Sequence, residues 1–383
     1  MLKSLVTLGL SLVFLFLGPN RAFGQSVQLS ETIKIDPAAN FEVTPEFFCV
    51  MGRELFLFTD HHTRSIKIFV KRNNFLKFKK TLGPWFGNKF FIRPMFCFFS
   101  RDKKKIGVYD SLARKVFIFE TSIKNDFILK KTVDCRKFGY DMAFTKDSDQ
   151  LIVSGYITDK DENPFDLYSI NINKGYLNYL LPSYQKYHLK DFEVYVSEYR
   201  EKHIIPSIGI KAYIDIHGDK LFFVWEGEPR IIKINLRTQD KTVFGKTTSH
   251  FAIGDKTLLS KFYNKGELKK WEKLREERAY IRNIFTTSKH VFLIYETGKN
   301  NECSVSTFRV QIYTPEGKFL NDVKLPGNMG RKIWFDKDNY NLYALSIQHG
   351  NKKKELLILK YKLEMTKKSR PKLDKPKGGC YYK

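Results

Sequence analysis

The sequence predicts an all-β fold, a six-bladed β-propeller of four-stranded antiparallel blades with a short helical insertion, over most of its 383 residues. Three observations carry that prediction. Apolar runs of strand length recur in six successive units, most plainly at Phe96–Phe99, Ile106–Asp110 and Val116–Phe119. A polar turn precedes the second run of every unit. An N-terminal strand with no unit of its own also matches a last unit that lacks a clear fourth strand. A unit of several short strands cannot bury its own faces, so recurring units must stack or close into a ring.

The first residues read as a secretory signal over residues 1–24. Lys3 supplies a positive start, Leu5 to Leu17 an apolar stretch, and Ala22-Phe23-Gly24 small residues at the cleavage position. The stretch is shorter than the roughly 20 apolar residues of a membrane span. Cleavage is favoured over retention as an anchor, and the mature chain is expected in the periplasm or outside the cell. The propeller is expected over residues 25–365.

Second strands are expected at Leu55–Phe58, Ile106–Tyr109, Leu151–Val153, Leu221–Trp225, Val291–Tyr295 and Leu342–Leu345. The turns before them, such as Met51-Gly52-Arg53-Glu54 and His217-Gly218-Asp219-Lys220, are rich in residues that tolerate tight-hairpin dihedrals. Third strands follow at Ser65–Val70, Val116–Glu120, Leu167–Ile172, Arg230–Leu236, Phe308–Tyr313 and Glu355–Tyr361. Fourth strands are recognisable at Leu76–Thr81, Ile128–Val133 and Phe319–Leu325. Val27–Ile35 precedes the first unit and is expected to complete the last blade beside Glu355–Tyr361, closing the ring.

At the connection between the first two units stands Leu82-Gly83-Pro84, then Phe90-Phe91-Ile92-Arg93-Pro94 and an inner strand. Later comes Ile312-Tyr313-Thr314-Pro315-Glu316-Gly317-Lys318-Phe319. With these motifs, residues 40–364 resemble the exported bacterial six-bladed propellers of NHL/TolB-like type. Trp85-Phe86-Gly87-Asn88-Lys89 departs from that family's inter-blade connection and lacks its acidic residue. The resemblance implies a backbone and an exported location, not a reaction, because propellers host many functions.

Two insertions lengthen the repeat. Residues 183–207 carry Tyr184, Tyr187, Phe192, Tyr195 and Tyr199 among charged residues. Residues 251–278 place Leu268, Trp271 and Leu274 at helical spacing, which predicts a short helix covering a blade edge, with a ligand-gating lid as the alternative. Beyond Met365, residues 366–383 form a basic, proline-broken tail expected to be disordered. The five cysteines Cys49, Cys97, Cys135, Cys303 and Cys380 contain no CxxC pair. Cys49 and Cys97 fall in equivalent apolar runs and read as ordinary buried thiols.

The formal charge is +26, from 67 Lys+Arg against 41 Asp+Glu. Such a field attracts anionic partners. Its basic residues are dispersed rather than gathered in a stripe, and the chain reads as exported. Nucleic acid is therefore not the expected partner; composition bias alone is the competing account.

Residues at or just before the first strands are the natural channel contacts. They offer Glu46, Arg93, Asp141, Lys211, Arg282 and Arg331, and the four basic ones could converge on a carboxylate, phosphate or sulfate. Asp60-His61-His62 is the one tight cluster of metal-ligand type, and the channel histidines of related propeller lyases have no evident counterpart, so no metal or cofactor is expected. No Gly-x-Ser-x-Gly elbow or phosphate-cradling glycine loop is present. The expected role is a recognition or scaffold protein of the cell envelope, binding a protein or an anionic glycan, with peripheral contact to anionic membrane open. The alternative is a channel-centred lyase or hydrolase acting on an anionic sugar or peptide. Oligomeric state is not legible.

Overall fold

The structure is a computed structural model that describes residues 26–364, apart from 42, 46, 87–88, 122–125, 136–138, 159–163, 183–210, 252–268, 271–272, 274–275, 299–306, 327–331 and 350–353. Its described residues form an all-β molecule. Strand β1 (Ser26–Ile35) comes first, followed by a first set of β2 (Phe47–Met51), β3 (Leu55–Asp60), β4 (Ser65–Arg72) and β5 (Phe75–Leu82). A small hairpin, β6 (Trp85–Phe86) and β7 (Lys89–Phe90), occupies the connection to β8 (Pro94–Phe99), β9 (Lys105–Asp110), β10 (Lys115–Thr121) and β11 (Phe127–Asp134). The third set is β12 (Asp141–Phe144), β13 (Gln150–Thr158), β14 (Pro164–Asn171) and β15 (Leu177–Pro182). The fourth is β16 (Ala212–His217), β17 (Lys220–Trp225), β18 (Ile231–Asn235) and β19 (Lys241–Phe244). The fifth is β20 (Tyr280–Thr286), β21 (Val291–Glu296), β22 (Phe308–Tyr313) and β23 (Phe319–Lys324), and the chain ends in β24 (Lys332–Asp336), β25 (Asn341–His349) and β26 (Lys354–Glu364).

Four of these sets are separate four-stranded antiparallel sheets, and the first and last share one eight-stranded sheet in the order β2-β3-β4-β5-β1-β26-β25-β24. Its seam is β1. That strand runs antiparallel to β26 from Ser26↔Glu364 to Lys34↔Leu357. Its last two residues pair in parallel with β5, as Lys34↔Phe75 and Ile35↔Leu76. The N-terminal strand therefore supplies the outer strand of the last meander, as the sequence predicts. The first strands touch in succession, β2 to β8, β12, β16, β20 and β24, and β24 returns to β2.

Burial follows the strand's place in its set. Second strands β3 and β21 are buried at every residue, which explains their uninterrupted apolar runs. Fourth strands β5 and β11 alternate exposed and covered residues. The apolar residues gather in six buried clusters, each between two consecutive sets. Phe98 meets Phe144 at 4.9 Å between the second and third sets, and Phe56 meets Tyr343 at 5.6 Å between first and last. The hairpins turn through left-handed residues. Gly52 and Gly218 suit that conformation, whereas Arg64, Lys103, Arg114, Ser148 and Tyr340 adopt it at φ 52–59° with a Cβ in place. Each such residue costs about 1–2 kcal/mol, which the surrounding ladder must offset.

In the second insertion, Lys269, Lys270, Lys273 and Glu276 have helical backbone, and the Glu277 amide donates to the Lys273 carbonyl. Leu268, Trp271 and Leu274 lie outside the described residues, as do the first insertion from 183 to 207, residues 1–24 and residues 366–383.

One sequence reading is corrected. Cys49 and Cys97 are not separate thiols: they form a disulfide that joins first strands β2 and β8. Both are buried among Leu57, Ile68, Phe91 and Phe117, whereas Cys135 stays a free, buried thiol whose pKa burial pushes up to about 12. The bridge closes a loop 48 residues long. A chain-entropy treatment of such a loop gives about 4 kcal/mol. The double variant Cys49→Ser/Cys97→Ser is expected to lose about 2–4 kcal/mol in urea unfolding. The oxidised parent should match the variant's midpoint only after reduction.

Candidate functional site

The ring of first strands encloses a cavity of about 810 Å³. One wall is aromatic. Trp334 lies edge-on between Phe47 and Phe99, with centroids 6.3 and 5.8 Å away. The opposite wall, from β12, β16 and β20, carries Asp141, Tyr213, Asp215, His217, Arg282 and Asn283.

The acidic side chains of that wall stitch one strand to the next. Asp141 accepts from the Met142 amide at 2.9 Å with one oxygen and from the Ile214 amide of β16 at 3.0 Å with the other. Asp215 repeats the arrangement one set on: it accepts from the Ile216 amide and from the amide and hydroxyl of Thr286 on β20. Asn283 accepts from the Ile284 amide at 2.8 Å. Lys337, from the turn after β24, reaches across to pair with Asp215. The hydroxyl of Ser154 adds another tie, donating to the Ala212 carbonyl at 2.7 Å.

Arg282 is the densest junction. Its guanidinium donates to Glu296 through Nε at 2.9 Å and NH2 at 2.6 Å, and to Glu226 through NH1 at 3.1 Å. Both glutamates are buried, at 4% and 3% exposure, and the Arg282 cation lies between them. Burial works against the charge on Arg282, but Glu296, Tyr213 and Glu226 overcome it and raise its pKa. Tyr280 lies 5.2 Å below the guanidinium carbon. The Tyr213 phenol beside this group is pushed above its usual range, first by burial and then by Glu226.

Burial raises the Asp141 pKa to about 7; the amides of Ile214 and Met142 oppose the shift, Asp215 adds to it and Lys337 opposes it. His217, at the far end of β16, is pushed below the ordinary histidine value by burial and by the cations Arg101 and Lys337, against the pull of Asp215.

Of the residues the sequence singles out, Asp141, Lys211 and Arg282 come together on this cavity. Arg93 does not line it: the residue is exposed, and its amide donates to Asp110 at 2.9 Å. Glu46 and Arg331 lie outside the described residues. Arg282 is engaged by two carboxylates, which leaves Lys211 the sequence-singled cation here without an ion pair among the described residues. Glu296, Asp215, His217 and Lys337 were not anticipated. The signal for Glu296 was present, since Glu226 and Glu296 close equivalent second strands, but their shared arginine is 56 and 14 residues away.

Asp60 in the Asp60-His61-His62 cluster pairs with buried Lys67 at 2.8 Å and caps its turn through the His62 and Thr63 amides. Among the described residues, no three His, Cys, Asp or Glu side chains come together to hold a metal ion. No helix among the described residues is long and apolar enough to cross a membrane.

Meanders of this kind, with first strands closed around a cavity, define a protein of β-propeller type. The chain is similar in fold to a protein of Bacteroides fragilis classed as exported, with TM-score 0.59 and 13% identity over 88% of this chain and 95% of that one. It also aligns with the WD40 repeats of RRP9 (TM-score 0.49, 10% identity, 88% of this chain and all of that one) and with streptogramin B lyase (TM-score 0.43, 12% identity, 89% and 98%). No family model and no curated protein matches the chain.

Two outcomes test this geometry. Arg282→Met leaves Glu226 and Glu296 buried without their cation and is expected to destabilise by about 3–5 kcal/mol in urea unfolding. Adding Glu226→Gln and Glu296→Gln should recover much of that loss. Asp141 binds its proton more tightly folded, near pH 7, than at its ordinary 3.8. Its contribution is therefore fully present below pH 4 and lost as pH rises through 7. The stability difference between the parent and Asp141→Asn should shift against the parent across that window and level off above it.

Proposed function

We propose that the protein is an exported six-bladed propeller of NHL/TolB-like type that serves as a recognition or scaffold module in the cell envelope, binding a protein or an anionic glycan on one face of its ring. The observation that carries this reading is the way the cavity's ionic side chains are used. Asp141 and Asp215 bind backbone amides of neighbouring strands, and Arg282 is held by two buried glutamates. Groups committed to tying strands together build a rigid platform and are poorly placed to change partners during a reaction. Six meanders, counting β24–β26 with β1 as one, support the blade number. The leader-like residues 1–24 and the Cys49–Cys97 disulfide suit an oxidising, extracytoplasmic compartment.

A second reading has one observation behind it. Asp141 titrates near neutrality within the cavity, as a general acid or base must. On this reading the channel belongs to a lyase or hydrolase acting on an anionic sugar or peptide.

The two readings separate in a thermal-shift series on the chain from residue 25 onward, run against acidic glycans, peptidoglycan fragments, anionic headgroups and divalent metals. Ligand at about 100 times Kd stabilises by about 2.7 kcal/mol. The expected result is stabilisation by an acidic glycan that fades with added salt or, failing any glycan, capture of an envelope protein. Turnover of an anionic glycan that is lost in Asp141→Asn would overturn the scaffold reading in favour of the enzyme.

A further inference from the structure

The turns that follow the first strands form one mouth of the cavity, and their charges are unevenly matched. Arg101, Lys103, Lys146, His217, Lys289 and Lys337 line the cavity there, alongside Asp215, Asp336 and Asp338. Two cations are consumed. Lys103 pairs with Asp338 at 2.6 Å, and Lys337 pairs with Asp215. Asp336 is buried and turned to its own loop, accepting from the Asp338 amide at 3.1 Å and the Asn339 side chain at 2.7 Å. Asp102 is likewise engaged, by the Ser100 hydroxyl and the Lys104 amide. Arg101, Lys146 and Lys289 remain, from three different sets, with no ion-pair partner among the described residues.

The unpaired cations at this mouth leave it with a surplus of positive charge. Like charges gathered beside low-dielectric walls repel one another and raise the local potential for anions. Two ion pairs cross this mouth and fix the turns beside those cations. Lys103–Asp338 spans from the second set to the last, and Lys337–Asp215 spans from the last to the fourth. Burial lowers the His217 pKa first, and the cations Arg101 and Lys337 add to that shift.

We propose that this mouth is an anion site that takes a phosphate or sulfate group, held by Arg101, Lys146 and Lys289, with the His217 imidazole as an added donor. A tetrahedral oxyanion suits the set: it accepts from several sides at once, a guanidinium can meet it with two parallel bonds, and lysines approach it as point charges. The group arrives either as the free anion or as the end of a small ester whose organic part faces Phe47, Phe99 and Trp334. This inference rests on the cavity described above and is independent of whether the protein acts as an envelope scaffold.

Bound anion also changes the histidine in a defined direction. His217 faces Arg101, Lys337 and Lys220, which disfavour its charge, and Asp215, which favours it. An anion among them offsets the cations, raises the imidazole pKa, and so binds more tightly as pH falls through that titration.

The test uses the mature chain, with sodium sulfate and phenyl sulfate titrated calorimetrically at constant ionic strength, and His217 followed by NMR. Sulfate keeps its charge through the histidine range, so any pH dependence belongs to the protein. The expected result is saturable binding that falls at least tenfold in Arg101→Gln/Lys289→Gln, with the His217 pKa rising by at least half a unit on sulfate in the parent and not in that variant. Equal affinities for the two probes mean the free anion is the ligand; tighter phenyl sulfate means an ester. Lys77→Gln/Lys241→Gln removes the same charge from outer strands and should bind as the parent does. An equal loss in that control, or a His217 pKa unmoved by saturating sulfate, would overturn the proposal. A parent that binds sulfate but no envelope partner would leave this site standing and remove the scaffold role.

Discussion

The pairing of β1 with β26 is the constraint on which the rest of the molecule depends. No meander here can bury both of its faces alone, so each leans on the next, and the six apolar clusters lie between sets rather than within them. An open row would leave two apolar faces in water. By running Ser26–Ile35 along Lys354–Glu364, the chain supplies its last meander with an outer strand and draws the first set against it. The cavity, the stitched aspartates and the Arg282 junction exist because that row is closed.

Within the ring, polar chemistry takes over where apolar packing stops. First strands face the cavity along one edge, so their neighbours cannot be held by side-chain packing alone. Carboxylates of β12 and β16 reach the amides of the next strand, and Arg282 sits between two glutamates from consecutive second strands. The ties of Arg282 to its glutamates are charge-assisted and buried, which strengthens them and makes their loss expensive. The Cys49–Cys97 bridge does the same work covalently between the first two sets, where the facing side chains are apolar.

Much of this fold was legible because burial on both faces writes itself as an unbroken apolar run. Leu55–Phe58, Ile106–Tyr109, Leu221–Trp225 and Val291–Tyr295 could be placed within a residue or two for that reason, whereas Leu151–Val153 and Leu342–Leu345 caught only the inner part of longer strands. Fourth strands such as Leu177–Pro182 and Lys241–Phe244 were harder, since an exposed outer strand carries a mixed pattern that resembles a loop. The site was legible in part. Asp141, Lys211 and Arg282 could be placed on the cavity because strand starts map to the channel, but the partners of Arg282 could not, because pairing across sets is set by three-dimensional closure. The same limit hid the disulfide, whose two cysteines each looked at home in an apolar strand.

The joining of the chain's two ends has a consequence for how the molecule comes into being. The pairing of β1 with β26 links segments separated by almost the whole described sequence, so a nascent chain that has passed its fifth meander still has a bare apolar face and an unpaired edge. Folding can reach completion only after the final strand is released. A polypeptide built this way stays incompletely packed for the length of its own synthesis.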